Sequence, residues 1–332
     1  MVSAASIVDR RCTNGCIPGM DRKKLCGRAV MKIVLFGKNG QVGWELQRSL
    51  APLGELIAIS ASDQAFCGDL TNLAGIAQTI RQISPNIIVN AAAYTAVDKA
   101  EQEYELAQIV NSEAPGVLAE EARRSNATLV HYSTDYVFSG DGSEPYREID
   151  AAQPLNVYGK TKLQGEKNII ASGCSYFIFR TSWVYSIYGN NFIKTILRLA
   201  QQRDRLTIVD DQIGSPTGSE LIADITAQAL HSLRYQPEAS GLFHLVAQGY
   251  TSWFEYAQFI LAHARSVNFP LTVQSEAVLP IPSTQFPLPA MRPLNSRLAT
   301  HKLEDQFQLK LPAWQAGVTR ALTELFHKQH VS

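Results

Sequence analysis

Tyr158 and Lys162 stand four residues apart, a spacing that on a helix sets both side chains on one face. An ammonium in that place favours the phenolate and draws the tyrosine pKa toward a range useful for proton donation. The pair alone is a weak signal, because the same spacing falls by chance on many amphipathic helices. Position strengthens it. Residues 129–132 read as a short apolar strand that runs into Ser133, Thr134 and Asp135. A hydroxyl at the carboxyl end of a parallel strand lies where open α/β sheets gather their ligands. Thr134, Tyr158 and Lys162 together therefore make a carbonyl-reduction site, although a strand-end threonine taken alone also serves to satisfy a turn.

A reduction needs a hydride source, and the first strand-to-helix turn offers a place for one. Gly37, Gly40 and Gly43 recur every third residue, directly after the apolar run 32–36 and at the opening of a helical pattern over 41–50 that includes Gln41 and Val42. Glycines so placed let the backbone turn sharply and approach a pyrophosphate at the helix N-terminus, so the turn predicts a dinucleotide. The second strand ends at Ser60, where a carboxylate would commonly hold the ribose 2′-hydroxyl, and no acid follows until Asp63. Strict NAD selection is therefore not expected. Lys38, inside the loop, either faces a 2′-phosphate or is a solvated loop lysine, and the expected cofactor is NADPH with NADH accepted beside it. Asp69 and Leu70 are placed to flank the adenine. Ala91, Ala92, Ala93, Tyr94 and Thr95 lie at the carboxyl end of the third strand, in the ligand-gathering crevice.

The elements that must position these groups alternate. Strands are expected over 32–36, 56–59, 87–90, 129–132 and 177–180, with helices over 41–50, 73–83 and 156–171 and a helical region 97–124 interrupted around Pro115. Continuous apolar strands mean a sheet buried on both faces, hence parallel. The fold class is α/β, a Rossmann-type doubly wound parallel sheet with a smaller C-terminal α/β substrate domain. The dinucleotide domain is assigned to 31–180, with later segments free to return to it, and the substrate domain mainly to 181–332. There, helices are expected over 218–232 and 253–265, with a Pro-rich loop over 280–293.

The chain has 332 residues, 45% of them apolar, with 30 basic and 30 acidic side chains. That supplies a core and no overall charge with which to hold nucleic acid or an anionic membrane. No apolar run approaches the roughly 18 residues of a membrane span. Residues 1–30 hold six basic against two acidic side chains, a net +4 that the remainder offsets with −4, together with Cys12, Cys16 and Cys26. They read as a disordered leader or vector-derived extension ahead of Met31. Cys67 and Cys174 alone remain in the body, which suits a reducing cytoplasm.

The glycine loop, Asn90-Ala91-Ala92-Ala93, the run Ser133-Thr134-Asp135-Tyr136-Val137-Phe138 and the run Tyr158-Gly159-Lys160-Thr161-Lys162 together resemble an extended short-chain dehydrogenase/reductase. Within that superfamily the sequence is most similar to the dTDP-4-dehydrorhamnose reductase family, also through Val97-Asp98-Lys99-Ala100-Glu101, Arg180-Thr181-Ser182-Trp183, Gly214-Ser215-Pro216-Thr217 and Arg292-Pro293-Leu294-Asn295. The similarity runs from Met31 nearly to the C-terminus. It implies reduction of the C4 ketone of dTDP-4-dehydro-β-L-rhamnose to dTDP-β-L-rhamnose, for surface polysaccharide such as O antigen. Tyr158 would be the proton donor, Thr134 the partner of the ketone oxygen, and Lys162 the holder of the nicotinamide ribose. Asp135 and Trp183 would meet the sugar, Trp183 reading otherwise as a core aromatic, and Arg292 is a candidate diphosphate partner. The resemblance further implies a homodimer around Mg²⁺ held by Glu45, Glu220 and Glu324, each of which reads equally as a solvated helix-face glutamate. The alternatives are an epimerase or dehydratase of the same superfamily and a non-catalytic nucleotide-binding regulatory subunit. A dehydratase would carry a glutamate base where Tyr136 stands, and the regulator has less need of an intact Thr134, Tyr158 and Lys162.

Overall fold

The computed structural model describes residues 31–330 apart from 234 and 237, and only the backbone of 328–330. The expectation of a leader over 1–30 lies outside the described residues. The chain opens with β1 (Lys32–Phe36), α1 (Gln41–Leu50) and β2 (Glu55–Ile59), then α2 (Leu73–Ile83) and β3 (Ile87–Asn90). Two short helices follow, α3 (Val97–Ala100) and α4 (Tyr104–Gln108), then α5 (Ala114–Ser125), β4 (Thr128–Thr134), α6 (Val157–Ser172) and β5 (Ser175–Thr181). The second half adds β6 (Val184–Tyr185), α7 (Phe192–Gln202), β7 (Leu206–Val209), β8 (Ile213–Gly214), β9 (Thr217–Gly218) and α8 (Ser219–Ser232). It ends with β10 (Gly241–His244), β11 (Thr251–Ser252), α9 (Trp253–Ser266), β12 (Val278–Ile281), α10 (His301–Phe307) and α11 (Trp314–His330).

Six strands form one parallel sheet in the order β10-β5-β4-β3-β1-β2. Their runs are apolar on both faces because helices cover both. On one side Leu46 and Leu50 of α1 pack with Ile222 and Ile225 of α8, and on the other Ile76 and Ile80 of α2 pack with Leu118 of α5 and Ile169 of α6. The chain leaves β1 for β2 and returns past it to β3, so the strand order reverses between β1 and β3, where α/β sheets open a ligand crevice. A further core joins α7, α9 and α11 around Tyr256, Trp314 and Phe326.

The sheet is completed from far along the chain. β10 pairs with β5 through Gly241 opposite Phe177 and His244 opposite Arg180. The interruption expected around Pro115 is a change of helix type and not a break, since Glu113 ahead of α5 is itself helical. The irregularity precedes it as a π-helical stretch, Ile109–Glu113, against which α6 presses so closely that a Cβ on Gly165 would stand 2.2 Å from the Asn111 carbonyl oxygen. β4 runs two residues beyond its expected end, which makes Thr134 its last residue, opposite Thr181 of β5. The expected Pro-rich loop begins inside a strand, with Pro280 in β12 facing Ile208 of β7.

Candidate active site

The first turn of α6 is fixed from three sides. Asn156 caps it by accepting the Gly159 N–H at 2.8 Å and donates its amide to the Met291 carbonyl at 2.7 Å. Gly159 has no room for a side chain, because a Cβ there would lie 2.1 Å from the Tyr136 carbonyl oxygen. Tyr158 therefore lies against the turn Asp135–Val137, its ring edge-on to Tyr136 at 5.7 Å. One turn on, Lys162 is 1% exposed and donates from Nζ to the Tyr132 carbonyl at 2.6 Å, with His131 Nε2 at 3.2 Å. The structure thus brings Thr134, Tyr158 and Lys162 to the carboxyl end of β4.

The acid strengths differ from the expectation for an ammonium-tuned tyrosine. Burial pushes Tyr158 up to about 12, against the opposing pull of a hydrogen bond with Thr134. Burial also lowers Lys162 to about 8, partly offset by Glu166. In the site as it stands, desolvation and the Asp135 charge hold the Tyr158 proton, with Thr134 alone pulling the other way. Glu166 is itself taken up: Arg180 reaches it through two bonds of 2.9 and 2.6 Å and Ser133 Oγ donates to it. Arg180 also lies over the Phe138 ring at 5.0 Å. This buried pair lies behind the proton-carrying groups and carries no sequence signal, since its partners come from different elements.

Thr134 Oγ accepts the Tyr136 N–H at 3.1 Å and donates to Asp135 Oδ1 at 3.0 Å. Asp135 Oδ2 is buried without a hydrogen-bond partner, and burial raises the carboxyl to about 6, against bonds from Ser296 and Thr134. An acceptor so placed calls for a donor, from water or from a ligand. Burial holds the Tyr136 hydroxyl far above its ordinary value, so it cannot act as a base near neutrality.

At the β1/β3 crevice a cavity of about 420 Å³ is lined by Gly37, Gly40, Ser60, Asp69, Leu70, Ala92, Ala93 and Tyr94, all expected there, by Asn39 within the glycine loop, and by Ala61, Ser62, Gly68 and Val110, which no motif marks. The backbone approach is close: Gly37 has φ +85°, and a Cβ on Gly43 would fall 2.0 Å from its carbonyl oxygen. Gln41 instead accepts from Asn191 Nδ2 at 3.0 Å, while Val42 packs with the sheet core and Ala91 and Thr95 only flank the cavity wall. Lys38 is spent on Asp63 at 2.6 Å, and Asp63 also accepts the Ser60 N–H at 2.8 Å.

A larger cavity, of about 800 Å³, opens beyond Tyr136 between α7, β7 and the segment after β12. Arg203, Arg205, Arg292, Phe192, Gln212 and Trp253 are on its wall. Arg292 is not a free cation, because its guanidinium makes bonds of 2.6 and 2.7 Å to the two oxygens of Asp98. Trp183 takes the left-handed φ of +47°, uncommon for a bulky side chain, and its indole stacks on Trp253 at 3.5 Å and 9°. The expected sugar wall is thus half of a stacked pair, and Trp253 gave no sequence signal.

The three glutamates assigned to Mg²⁺ do not form a cation cage. Glu45 pairs with Arg48, and Arg320 stands between Glu220 at 3.4 Å and Glu324 at 3.1 Å. Among the described residues no three histidine, cysteine, aspartate or glutamate side chains come together to hold a metal. Burial and the Glu45 and Glu324 charges still hold the Glu220 carboxyl above its ordinary value, against the pull of Arg320. Among the same residues no helix is long and apolar enough to cross a membrane.

The family model described as the RmlD substrate binding domain matches residues 31–327. The chain is 53% identical over 296 residues to the dTDP-4-dehydrorhamnose reductase of Escherichia coli (strain K12), covering 89% of this chain and 98% of that one. It is similar to the crystal structure of dTDP-4-dehydrorhamnose reductase from Bacillus anthracis in complex with NADP, with a TM-score of 0.79 at 35% identity, covering 89% of this chain and 100% of that chain. A dTDP-glucose 4,6-dehydratase from Streptomyces venezuelae shares the fold at 17% identity and a TM-score of 0.74, covering 90% and 98% of the two chains.

Proposed function

The chain belongs to the RmlD substrate-binding-domain family with the dTDP-4-dehydrorhamnose reductases, and from that membership we propose how its residues reduce the C4 ketone of dTDP-4-dehydro-β-L-rhamnose to dTDP-β-L-rhamnose. Bound NADPH supplies the hydride to the ketone carbon. Tyr158 hydrogen-bonds the ketone oxygen and gives up its proton as that oxygen takes negative charge, with Thr134 as second donor once its hydroxyl turns from Asp135. A tyrosine held near 12 keeps its proton until such an oxyanion forms. Lys162 steadies the nicotinamide ribose and limits the charge left on the phenolate. Gly37, Gly40 and Gly43 leave room for the pyrophosphate at the start of α1, and Ser60 with the Lys38–Asp63 pair meets the adenosine ribose, so NADH is proposed as a second cofactor beside NADPH.

The unpartnered Asp135 oxygen takes a sugar hydroxyl, Trp183 closes over the ring, and Arg203 and Arg205 of the larger cavity take the diphosphate, joined by Arg292 once it turns from Asp98. The observation that carries the reading is the group of buried Thr134 and Lys162 with half-buried Tyr158 at the end of β4, beside the crevice at the strand reversal. The test is to follow NADPH absorbance with the dTDP-4-keto sugar. Stoichiometric loss with dTDP-rhamnose formed is expected, slowed by roughly 10²–10⁴ in Tyr158→Phe. Saturable NADPH binding without turnover would sink the substrate. We further propose a homodimer in the cytoplasm, with Arg320 in the place of a bridging Mg²⁺. Sedimentation unchanged by a chelator is the expected result.

A further inference from the structure

Behind Lys162 lies a line of buried polar groups that the reduction does not yet use. Asn90 ends β3, His131 lies beside it on β4, and both are 1% exposed. Asn90 Oδ1 accepts the Ala92 N–H at 3.2 Å, which leaves its Nδ2 facing His131 Nδ1, also at 3.2 Å. An amide NH₂ can only donate, so His131 Nδ1 accepts and the ring proton is on Nε2. That N–H points at Lys162 Nζ, 3.2 Å away. An ammonium carries no lone pair and cannot accept it, whereas the free amine can. The arrangement therefore suits uncharged Lys162. Charged Lys162 requires the reverse order: Nε2 accepts, the ring proton moves to Nδ1, and Asn90 turns its Oδ1 to that proton, releasing the Ala92 N–H. Ala92 lines the dinucleotide cavity.

We propose that His131 is a positioning residue for the reduction, a neutral imidazole whose tautomer follows the charge of Lys162 and, by a turn of the Asn90 amide, exposes or withholds the Ala92 N–H in the dinucleotide cavity. The proposal rests on the role given to Lys162 above. Coupling of this kind is reciprocal, so a cofactor acceptor at the Ala92 N–H favours the charged lysine, and the charged lysine favours the cofactor. The groups facing the amine are few. From α6 comes Glu166, already engaged by Arg180 of β5, and from β4 the Tyr132 carbonyl and His131. Desolvation and the lysine charge hold His131 well below its ordinary pKa, so it answers by tautomer and not by charge.

The test is nitrogen NMR of the protein labelled with ¹⁵N-histidine, His131 being identified among the seven histidines by its loss in His131→Gln. Between about pH 6 and about pH 10 the expected result is a neutral ring that passes from Nδ1–H to Nε2–H as Lys162 loses its charge, with no such change in Lys162→Met. One tautomer throughout, or an imidazolium, would overturn the proposal. In kinetics, His131→Gln frees the ammonium from the Asn90 turn, so the alkaline limb of kcat/KM should move up by about one pH unit, a tenfold change in proton affinity. A limb that stays while only thermal stability drops leaves His131 a structural residue. Undiminished activity in Lys162→Met would instead remove Lys162 from the reaction, and the tautomer measurement would still decide the proposal.

Discussion

Asp135 is 3% exposed with one carboxylate oxygen unpartnered, and burial lifts its pKa to about 6, above the ordinary value of 3.8. The folded chain therefore disfavours the ionised form, and the sign of the linkage follows. The fold is most stable where Asp135 is protonated, loses stability as pH rises from about 4 to about 6, and carries the full cost above that. Asp135→Asn should raise the thermal midpoint at neutral pH by a few degrees, on the order of 1–3 kcal/mol, while kcat/KM falls at least roughly tenfold. Scanning calorimetry beside the NADPH assay reads both, and an unchanged midpoint would mean a solvated carboxyl. Arg180→Met leaves Glu166 buried without its guanidinium and should cost about 3–5 kcal/mol in a denaturant titration. Thr134, Tyr158 and Lys162 are legible in the sequence because strand end and helical spacing define their places. Glu166 with Arg180, Lys38 with Asp63 and Arg292 with Asp98 are not, because packing chooses those partners across elements.

The catalytic helix makes an argument of its own. Gly159→Ala would force α6 away from the Tyr136 carbonyl, and Tyr158 would move with the helix. A displacement of about 1 Å at a reacting group costs about 10² in rate, so kcat should drop by that order while circular dichroism stays unchanged. A variant with full activity would show that the first turn yields locally. The run of α6 and the glycine turn were readable to within a residue, since each has its own cap, stripe or glycine spacing. The π-helical stretch before α5 was readable only as an interruption around Pro115, because a proline withholds the N–H a continuous helix needs without saying how the turn before it widens. α7 carries Ile193, Ile196, Leu197 and Ala200 in full helical spacing behind an Asn191 cap, a signal left unused where no element is expected between 180 and 218.

At the scale of the molecule, the family match begins at Met31, and a chain starting there should show kcat/KM and thermal midpoint equal to those of the full chain. Loss of activity on removing residues 1–30 would assign that segment a role. Alternation of strand and helix made the doubly wound sheet readable, but nothing local says that residues 241–244 would close its edge. That strand has consequences on the ribosome. When β5 emerges, the backbone N–H and C=O groups on its outer side face an empty edge, and about sixty further residues must be added before β10 arrives. At roughly 5–20 residues per second the nascent sheet waits on the order of 3–12 s with that unpaired border exposed. Yield of the native protein in the cell should then depend on translation speed and on chaperones that shield such borders, more than on the stability of the finished fold.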